Sequence, residues 1–325
     1  MSAARQAGQV SAIVVSYNVR ELLIACLDSL VAAQASGDVH EIIVVDNGSS
    51  DGSAAAIREQ FTDVRVIDAP NRGYGAGANL GIAESEGKYV LVLNPDTVVP
   101  AGTVGSLVAY LDRQMNVAVA GPLLRHPDGA VQSSRRRFPG RWTPLFESTI
   151  VESWWPSNPV LRRFRMIDER LPLAGAAQQV DWIVGAAMLV RRAAIERVGG
   201  FDEAFRMYSE EVEWCWRFRQ RGWKVAWLSS VEIVHHEGAS SAQDVPLRQV
   251  EFDTSRVRLT RRMYGDAQAS VIRAGLLLGY LVQLAIEASK WLLGHRRAMR
   301  VARVRLYLRG LRSGLRDVPG QRELT

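Results

Sequence analysis

Along the first hundred residues, apolar and polar positions change in blocks. Short runs of buried-strand composition at 11–15, 41–45, 64–67 and 89–93 are separated by helical patterns such as that at 21–33. Near-continuous apolar strands joined by amphipathic helices predict an α/β fold with a mostly parallel central sheet flanked by helices. Polar or glycine-rich residues stand at the carboxyl end of each strand: Ser16-Tyr17-Asn18, the stretch from Asp46 to Asp51, Asn71-Arg72-Gly73-Tyr74-Gly75, and Asn94-Pro95-Asp96. Ligands of open α/β sheets bind at that edge.

The periodicity fades between 139 and 175, where prolines, the pair Trp154 and Trp155 and clustered arginines predict long loops and short helices. A strand-helix pattern resumes at Val180 and runs through Trp182-Ile183-Val184-Gly185. A helix over 192–198 stops at Gly199-Gly200, and an acidic helix begins near Glu210. After His235-His236-Glu237-Gly238 the chain turns to helices, many of them arginine-rich. The boundary between an α/β domain at 1–245 and a helical extension at 246–325 falls near 244–246. No internal repeat is visible.

The composition is that of an ordinary globular protein, with 47% hydrophobic and 23% charged residues over 325 positions. Its 40 basic and 34 acidic residues give a net charge of +6. The arginine excess near 135–137, near 162–165 and after 290 predicts an anionic partner on one side. These arginines lack the interleaved aromatics of a nucleic-acid-binding module, so nucleic acid is excluded as the partner. Cys26 and Cys215 sit in apolar helical patterns without metal-ligand spacing, which argues against a disulfide framework or zinc site and for a reducing compartment. The apolar run at 10–15 is too short for a signal-peptide core and reads as the first strand. The segment 271–293 approaches membrane-spanning length but contains Arg273, Gln283, Glu287 and Lys290, so it is expected to lie in a membrane interface.

Several polar groups can carry chemistry, each with a plainer alternative. Asp46, at a strand tip before a Gly/Ser turn, can accept a hydrogen bond from a pyrimidine N3–H; with Asp51 it can also simply cap the turn and helix. Asp96 lies at the same sheet edge, where a carboxylate suits a Mg²⁺ or Mn²⁺ ion shared with a diphosphate, or where a Pro-Asp turn suffices. Gly73, Gly75 and Ala78 have the spacing of a dinucleotide fingerprint. The first strand carries no such loop, however, and the acidic ribose partner would have to be Asp96, at another strand's end; a nucleotide-sugar loop fits better than NAD binding by an oxidoreductase. Glu210, Glu211 and Glu213 gather at a helix N-terminus, whose dipole favours ionised carboxylates and a deprotonated base, or merely decorate a first turn. His235 and His236 follow a strand-like run at 231–234 and either complete a cation's shell or form a polar strand end.

Taken in order, these pieces resemble the family 2 glycosyltransferases of the GT-A fold, in particular the bacterial rhamnosyltransferase-like branch. The resemblance covers roughly 10–242. It rests on Val14-Val15-Ser16-Tyr17-Asn18, Val45-Asp46-Asn47-Gly48-Ser49-Ser50-Asp51, Asn71-Arg72-Gly73-Tyr74-Gly75 with Asn79-Leu80-Gly81, Asn94-Pro95-Asp96, Gly185-Ala186-Ala187-Met188, Gly199-Gly200-Phe201-Asp202 and Tyr208-Ser209-Glu210-Glu211-Val212-Glu213.

The resemblance implies an inverting, metal-dependent transfer of a sugar, L-rhamnose from dTDP by branch, to a glycan or lipid-linked acceptor in cell-envelope polysaccharide synthesis. It implies that Asp46 holds the nucleotide base and that Tyr17, Arg72, Asn79, Asn94 and Gly185 line the donor pocket. Asp96 and His235, the latter five residues before Ser240, would bind Mg²⁺ or Mn²⁺, and Glu211 would be the general base. Asn94 stands where many members have a first aspartate, and Glu211 where aspartate is usual. A binding protein of the same fold without turnover is the alternative. The apolar stretch running into Arg296, Arg297, Arg300, Arg303, Arg305, Arg309, Arg312 and Arg316 is expected to attach the enzyme to an anionic membrane surface on the cytoplasmic side. The alternative for these helices is packing on the catalytic domain or a contact in a homodimer.

Overall fold

The computed structural model describes residues 9–169, 176–236, 245–293 and 296–316. Twelve strands form among them: β1 (Val10–Ser16), β2 (Glu41–Asp46), β3 (Val64–Asp68), β4 (Tyr89–Leu93), β5 (Thr97–Val98), β6 (Val117–Arg125), β7 (Val131–Gln132), β8 (Arg135–Arg136), β9 (Ala177–Val180), β10 (Trp182–Ile183), β11 (Ala187–Arg191) and β12 (Lys224–His235). The main sheet has the order β3-β2-β1-β4-β11-β6-β12-β5, with β7 on β6 and β9 on β12. Strands β3, β2, β1 and β4 are parallel neighbours, as buried apolar runs joined by helices require. Beyond β4 the sheet is mixed: β11 runs antiparallel to both β4 and β6, β5 and β9 run antiparallel to β12, and β7 runs antiparallel to β6. The parallel strands β3-β2-β1-β4 are the part of the central sheet that the sequence pattern predicts. β11 enters from the two-stranded β10-β8 excursion rather than through a crossover helix.

Helices α1 (Arg20–Ala35), α2 (Ser53–Gln60), α3 (Tyr74–Ala83) and α4 (Thr103–Arg113) connect the first strands. In α1, Leu23, Cys26, Leu27, Leu30 and Ala33 recur at helical spacing and are buried against β1, β2 and β4 in the largest core cluster. α1 has no side-chain cap of its own; the Arg20 N–H is instead accepted by Asp51 Oδ2 at 3.0 Å, from the loop after β2. α3 packs close to β1 because Gly77 and Gly81 leave room for Val15 and Ile13. The glycine-rich stretch thus serves helix–sheet packing.

The chain divides into two compact units. The first, 1–138 with 168–206 and 210–242, holds the main sheet, α1–α4 and, further on, α8 (Arg192–Val198) and α9 (Glu210–Gln220). The second takes in 139–167, 207–209 and 243–325, so it is larger than a C-terminal tail. It contains the short helices α5 (Thr143–Phe146), α6 (Ile150–Trp154) and α7 (Pro159–Phe164), followed by α10 (Val245–Tyr264), α11 (Asp266–Leu292) and α12 (Arg297–Ser313).

Within the second unit, Val250, Val257, Ala269, Ile272, Leu276, Tyr280 and Leu315 form a separate core. A buried polar network crosses it. Asp253 pairs with Arg256 and accepts the Tyr280 hydroxyl, while Arg256 also donates to the carbonyls of Pro144, at 3.0 Å, and Glu147. α11 is long and apolar enough to cross a membrane. One stripe of it is buried, and Val271, Leu278, Leu281, Val282 and Leu292 are exposed. Its interrupting charge Glu287 is buried and paired with Arg300 at 2.5 Å and Arg303 at 3.3 Å.

Candidate active site

The carboxyl ends of β1, β2 and β4 lie side by side, with Ser16 opposite Asp46 and Val14 opposite Leu93. Two loops interlock there. Asn18, at a left-handed φ of 51° that asparagine tolerates, has its N–H accepted by Ser49 Oγ at 2.9 Å, and its Oδ1 accepts the Ser50 N–H at 2.7 Å. Asp51 is tied up by Arg20 and Ser53, so its part is the capping one.

Asp46 is different. It is buried, Oδ2 accepts the Ser49 N–H at 2.8 Å, and Oδ1 is buried with no hydrogen-bond partner. A buried acceptor left unmade costs on the order of 1–3 kcal/mol, so this oxygen suits a hydrogen-bond donor from outside the chain, a water included. Tyr17 stands exposed on the adjoining loop.

Asp96 and His235 meet at the end of β12. His235 Nε2 lies 3.2 Å from Asp96 Oδ1, and both side chains are buried. The other ring nitrogen, Nδ1, lies 2.8 Å from Gln132 Oε1, which can only accept, so Nδ1 carries the proton. In the neutral ring Nε2 is then a lone pair facing a carboxylate oxygen, and Asp96 Oδ1 is left without a hydrogen bond. Two arrangements relieve this opposition: a second proton, giving an imidazolium–carboxylate pair, or a cation bound by both. A ligating histidine whose other N–H is held by an oriented acceptor has the form of a metal ligand. The residues therefore fit a divalent cation with one carboxylate and one imidazole ligand, although the described residues contain no cluster of three or more His, Cys, Asp or Glu around a common point. Asn94 Nδ2 approaches His235 Nε2 at 3.4 Å. His236 has an exposed ring and meets Asp96 only through its backbone N–H, at 2.9 Å from the Asp96 carbonyl oxygen. Gly238 and Ser240-Ser241 lie outside the described residues, as does Asp244 at the expected boundary.

The acidic helix α9 begins after Tyr208 and Ser209, two non-glycine residues at left-handed φ values of 67° and 68°. Such conformations cost about 1–3 kcal/mol each and persist where surrounding structure holds them. The three glutamates that follow have three different fates. Glu213 is fully buried and paired with Arg217 at 2.7 Å, whose guanidinium also bonds the carbonyls of Val198 and Gly200. Glu210 is buried with Oε2 unpartnered; burial first, then the charge of Glu211, raises its pKa well above the ordinary carboxylate value. The expectation that the helix dipole keeps this cluster ionised therefore fails at Glu210, where desolvation outweighs it. Glu211 is half-buried and lies against Gly185, whose lack of a side chain leaves room for it.

Tyr74, not expected as a site residue, links these groups. Its hydroxyl donates to the Gly185 carbonyl at 3.4 Å, and its pKa is raised well above 10.0 by burial and then by the charges of Glu210, Glu211 and Asp96. All three carboxylates thus act electrostatically on the same phenol. Gly73, at φ 105°, makes this possible: a side chain there would collide with the Arg206 backbone, whose carbonyl accepts the Tyr74 N–H at 3.1 Å.

Asn79 and Arg72 do less than expected. The Asn79 amide is taken up by the Phe201 backbone, donating to its carbonyl at 2.9 Å and accepting its N–H at 2.8 Å, and it also donates to Glu203. Its part is to hold the Gly199–Phe201 turn on α3 instead of lining a pocket. Arg72 is exposed and pairs with Glu203 at 3.0 Å. Gln132, Tyr74 and Glu203 are the residues that the sequence reading missed. Only Tyr74 sits inside a recognisable motif.

The profile described as glycosyl transferase family 2 matches residues 11–199, and that of glycosyl transferase family 21 matches 164–314. The N-acetylglucosaminyl-diphospho-decaprenol L-rhamnosyltransferase of Mycobacterium tuberculosis (strain ATCC 25618 / H37Rv) is 33% identical over 62% of this chain and 68% of its own length. Rhamnosyltransferase WbbL of Escherichia coli (strain K12) is 24% identical over 69% of this chain and 82% of its own. Among solved structures, mannosyltransferase PcManGT from Pyrobaculum calidifontis, in complex with GDP-Man and Mn2+, superposes with a TM-score of 0.54 at 17% identity, covering 94% of this chain and 86% of the other. A sheet with the reversed strand β11, its polar strand ends and these matches agree: the chain belongs to glycosyl transferase family 2, in its rhamnosyltransferase-like branch and with the GT-A fold.

Proposed function

We propose that this glycosyltransferase is inverting and metal-dependent, and that it moves a hexose from a nucleoside diphosphate to a hydroxyl of a glycan or lipid-linked acceptor in cell-envelope polysaccharide synthesis. L-Rhamnose from dTDP is the preferred donor, a choice supported by the names of the two rhamnosyltransferase relatives. The observation that carries the reading is the buried, mutually facing pair Asp96 Oδ1 and His235 Nε2, at the same sheet edge as the unpartnered Asp46 Oδ1.

In this reading Asp46 accepts the N3–H of the donor's pyrimidine, with Tyr17 and Arg72 at the rim and Asn79 acting through the Phe201 turn. Asp96 and His235 would hold Mg²⁺ or Mn²⁺, with Asn94 beside them, and the bound cation supplies charge neutralisation to the departing diphosphate. The mannosyltransferase solved with Mn2+ supports a divalent ion in this fold. Glu211 takes the acceptor hydroxyl's proton as that oxygen attacks the anomeric carbon. The bond to the diphosphate breaks on the opposite side, so the configuration inverts with a single base. Glu210, held neutral, adds no second charge beside Glu211.

The same reading puts the enzyme at the inner, cytoplasmic face of the cell membrane. Exposed Leu278, Leu281, Val282 and Leu292 on α11, followed by the arginines of α12, support it. Aliphatic side chains enter the acyl boundary, and each arginine near anionic headgroups contributes about 1 kcal/mol before screening.

The test is a panel of nucleotide sugars with Mg²⁺ or Mn²⁺, read first by thermal shift and then by transfer to a lipid-linked acceptor. A donor-specific shift followed by turnover with inversion is expected. A shift with neither transfer nor donor hydrolysis would make the chain a binding protein of the same fold. Flotation with liposomes tests the membrane: recovery of the chain in the soluble fraction at low salt, as a dimer by sedimentation, would assign the exposed α11 face to a second copy instead.

A further inference from the structure

The second unit contains a cavity that the donor site does not use. It has a volume of about 220 Å³ and is lined by Ser148, Tyr208, Arg248, Gln249 and Phe252. Arg248 and Phe252, one turn apart on α10, share a face of that helix. The aromatic walls are fixed. The Tyr208 and Phe252 rings meet edge to face at 5.4 Å, and the backbone just before Tyr208 is held by Ser255 Oγ, which donates to the Met207 carbonyl at 2.7 Å.

Among the described residues, two carboxylates near the cavity already have cationic partners. Asp253, next to Gln249, is already matched by Arg256 and the Tyr280 hydroxyl. Glu152, which accepts the Ser148 N–H at 2.6 Å, is matched by Arg165 at 2.7 Å. Arg248 is exposed, lies 5.7 Å from the Tyr208 ring centroid and forms no ion pair among the described residues. A guanidinium beside a hydroxyl and an amide, over aromatic walls, is a recognition set for a phosphate group. The volume is below the roughly 300–1,000 Å³ of pockets that enclose a whole drug-sized ligand, so a headgroup fits and a nucleotide sugar or a lipid chain does not.

We infer that this cavity binds the phosphate or diphosphate group of the acceptor, with Arg248 as the anion ligand and Tyr208 and Phe252 flanking it. The inference rests on the reading of the chain as a transferase acting on a lipid-linked acceptor. It adds the place where that acceptor's charged group is held and predicts a specificity for phosphorylated over neutral acceptors.

The test uses the full chain and its Arg248→Gln variant, which should fold because the residue is exposed. Inorganic pyrophosphate and a short-chain prenyl diphosphate in neutral detergent micelles are titrated calorimetrically with EDTA present, so that a cation-dependent donor site is silent. Binding to the wild type, weakened at least tenfold in the variant, is expected for both probes. In transfer assays the variant should show an acceptor KM raised by a similar factor, with kcat and donor KM unchanged. Equal affinity in the two proteins, or no binding by the wild type, overturns the inference. So does binding seen only with vesicles of anionic phospholipid, which would signal general surface charge. A cation-dependent thermal shift with the donor is run alongside on both proteins. Its absence would sink the transferase reading, while the pyrophosphate titration would still report on the cavity.

Discussion

The two compact units differ in charge as sharply as in architecture. The α/β unit has 20 basic residues against 25 acidic ones, whereas the helical unit has 20 against nine. In the first, carboxylates occur where chemistry is expected, and several are left open or opposed: Asp46 Oδ1 without a donor, Asp96 facing His235, Glu210 buried beside Glu211. In the second, the buried carboxylates Asp253 and Glu287 are each matched by arginine. Few acids remain to balance the arginines of α12. The contrast teaches that the net charge of the whole chain, +6, conceals an acidic unit suited to cations and protons and a basic one suited to anions.

Four perturbations test this contrast. The largest effect is expected from Glu211→Gln, which should lower turnover by at least about a hundredfold, the scale of losing a general base, while calorimetry finds donor affinity preserved. If Glu210→Gln is the dead variant instead, the base lies one residue earlier. Next, Asp96→Ala should abolish the cation-dependent thermal shift given by the donor, which at a hundredfold excess over Kd corresponds to about 2.7 kcal/mol, and leave the unliganded melt in place. A retained shift would remove Asp96 from the cation site.

A smaller effect, on the order of 1 kcal/mol, is expected from Glu210→Gln on stability alone. Because the folded chain holds the Glu210 proton above the ordinary value of 4.5, the native state binds more protons than the unfolded one as pH rises from there towards the raised pKa. Wild-type stability should fall across that window, so the variant gains on the wild type with rising pH and matches it below the window. Denaturant melts at acid and neutral pH read this directly, and parallel curves would mean that Glu210 is not buried as a neutral acid. The smallest effect concerns the basic unit. Liposome-bound protein should fall by about half or more between roughly 0.1 M and 1 M salt, as the screening length shrinks from about 10 Å to 3 Å. Salt-independent binding would assign attachment to the apolar face of α11 alone.

Much of the first unit was legible because its signals are local. Apolar runs at 11–15 and 41–45 announce β1 and β2, Gly199-Gly200 announces the end of α8, and polar residues after an apolar run announce a strand's carboxyl end. What was not legible depends on pairing across the chain. Nothing in Ala187–Arg191 distinguishes a strand that runs against its neighbours from one that runs with them. Gln132 lies in a two-residue strand and acquires meaning only because β7 pairs with β6, bringing it to His235. Asn79 stands in a motif, which suggested contact with a nucleotide, but its amide faces a turn more than a hundred residues later. The glutamates of α9 look alike in sequence, and their divergence is a matter of burial, which composition does not report.

The reversed strand β11 has a consequence for how the chain is made. Strands β3, β2, β1 and β4 are contiguous in sequence and can pair as soon as residue 93 is available, but the outer edge of β4 waits for residues 187–191. At ordinary rates of synthesis that interval lasts roughly 5–20 s. Throughout it, a strand of five wholly apolar or aromatic residues, Tyr89–Leu93, would offer unpaired backbone groups to whatever chain passes. The nascent protein should therefore depend on chaperone holding during this stretch of its translation more than its finished stability suggests.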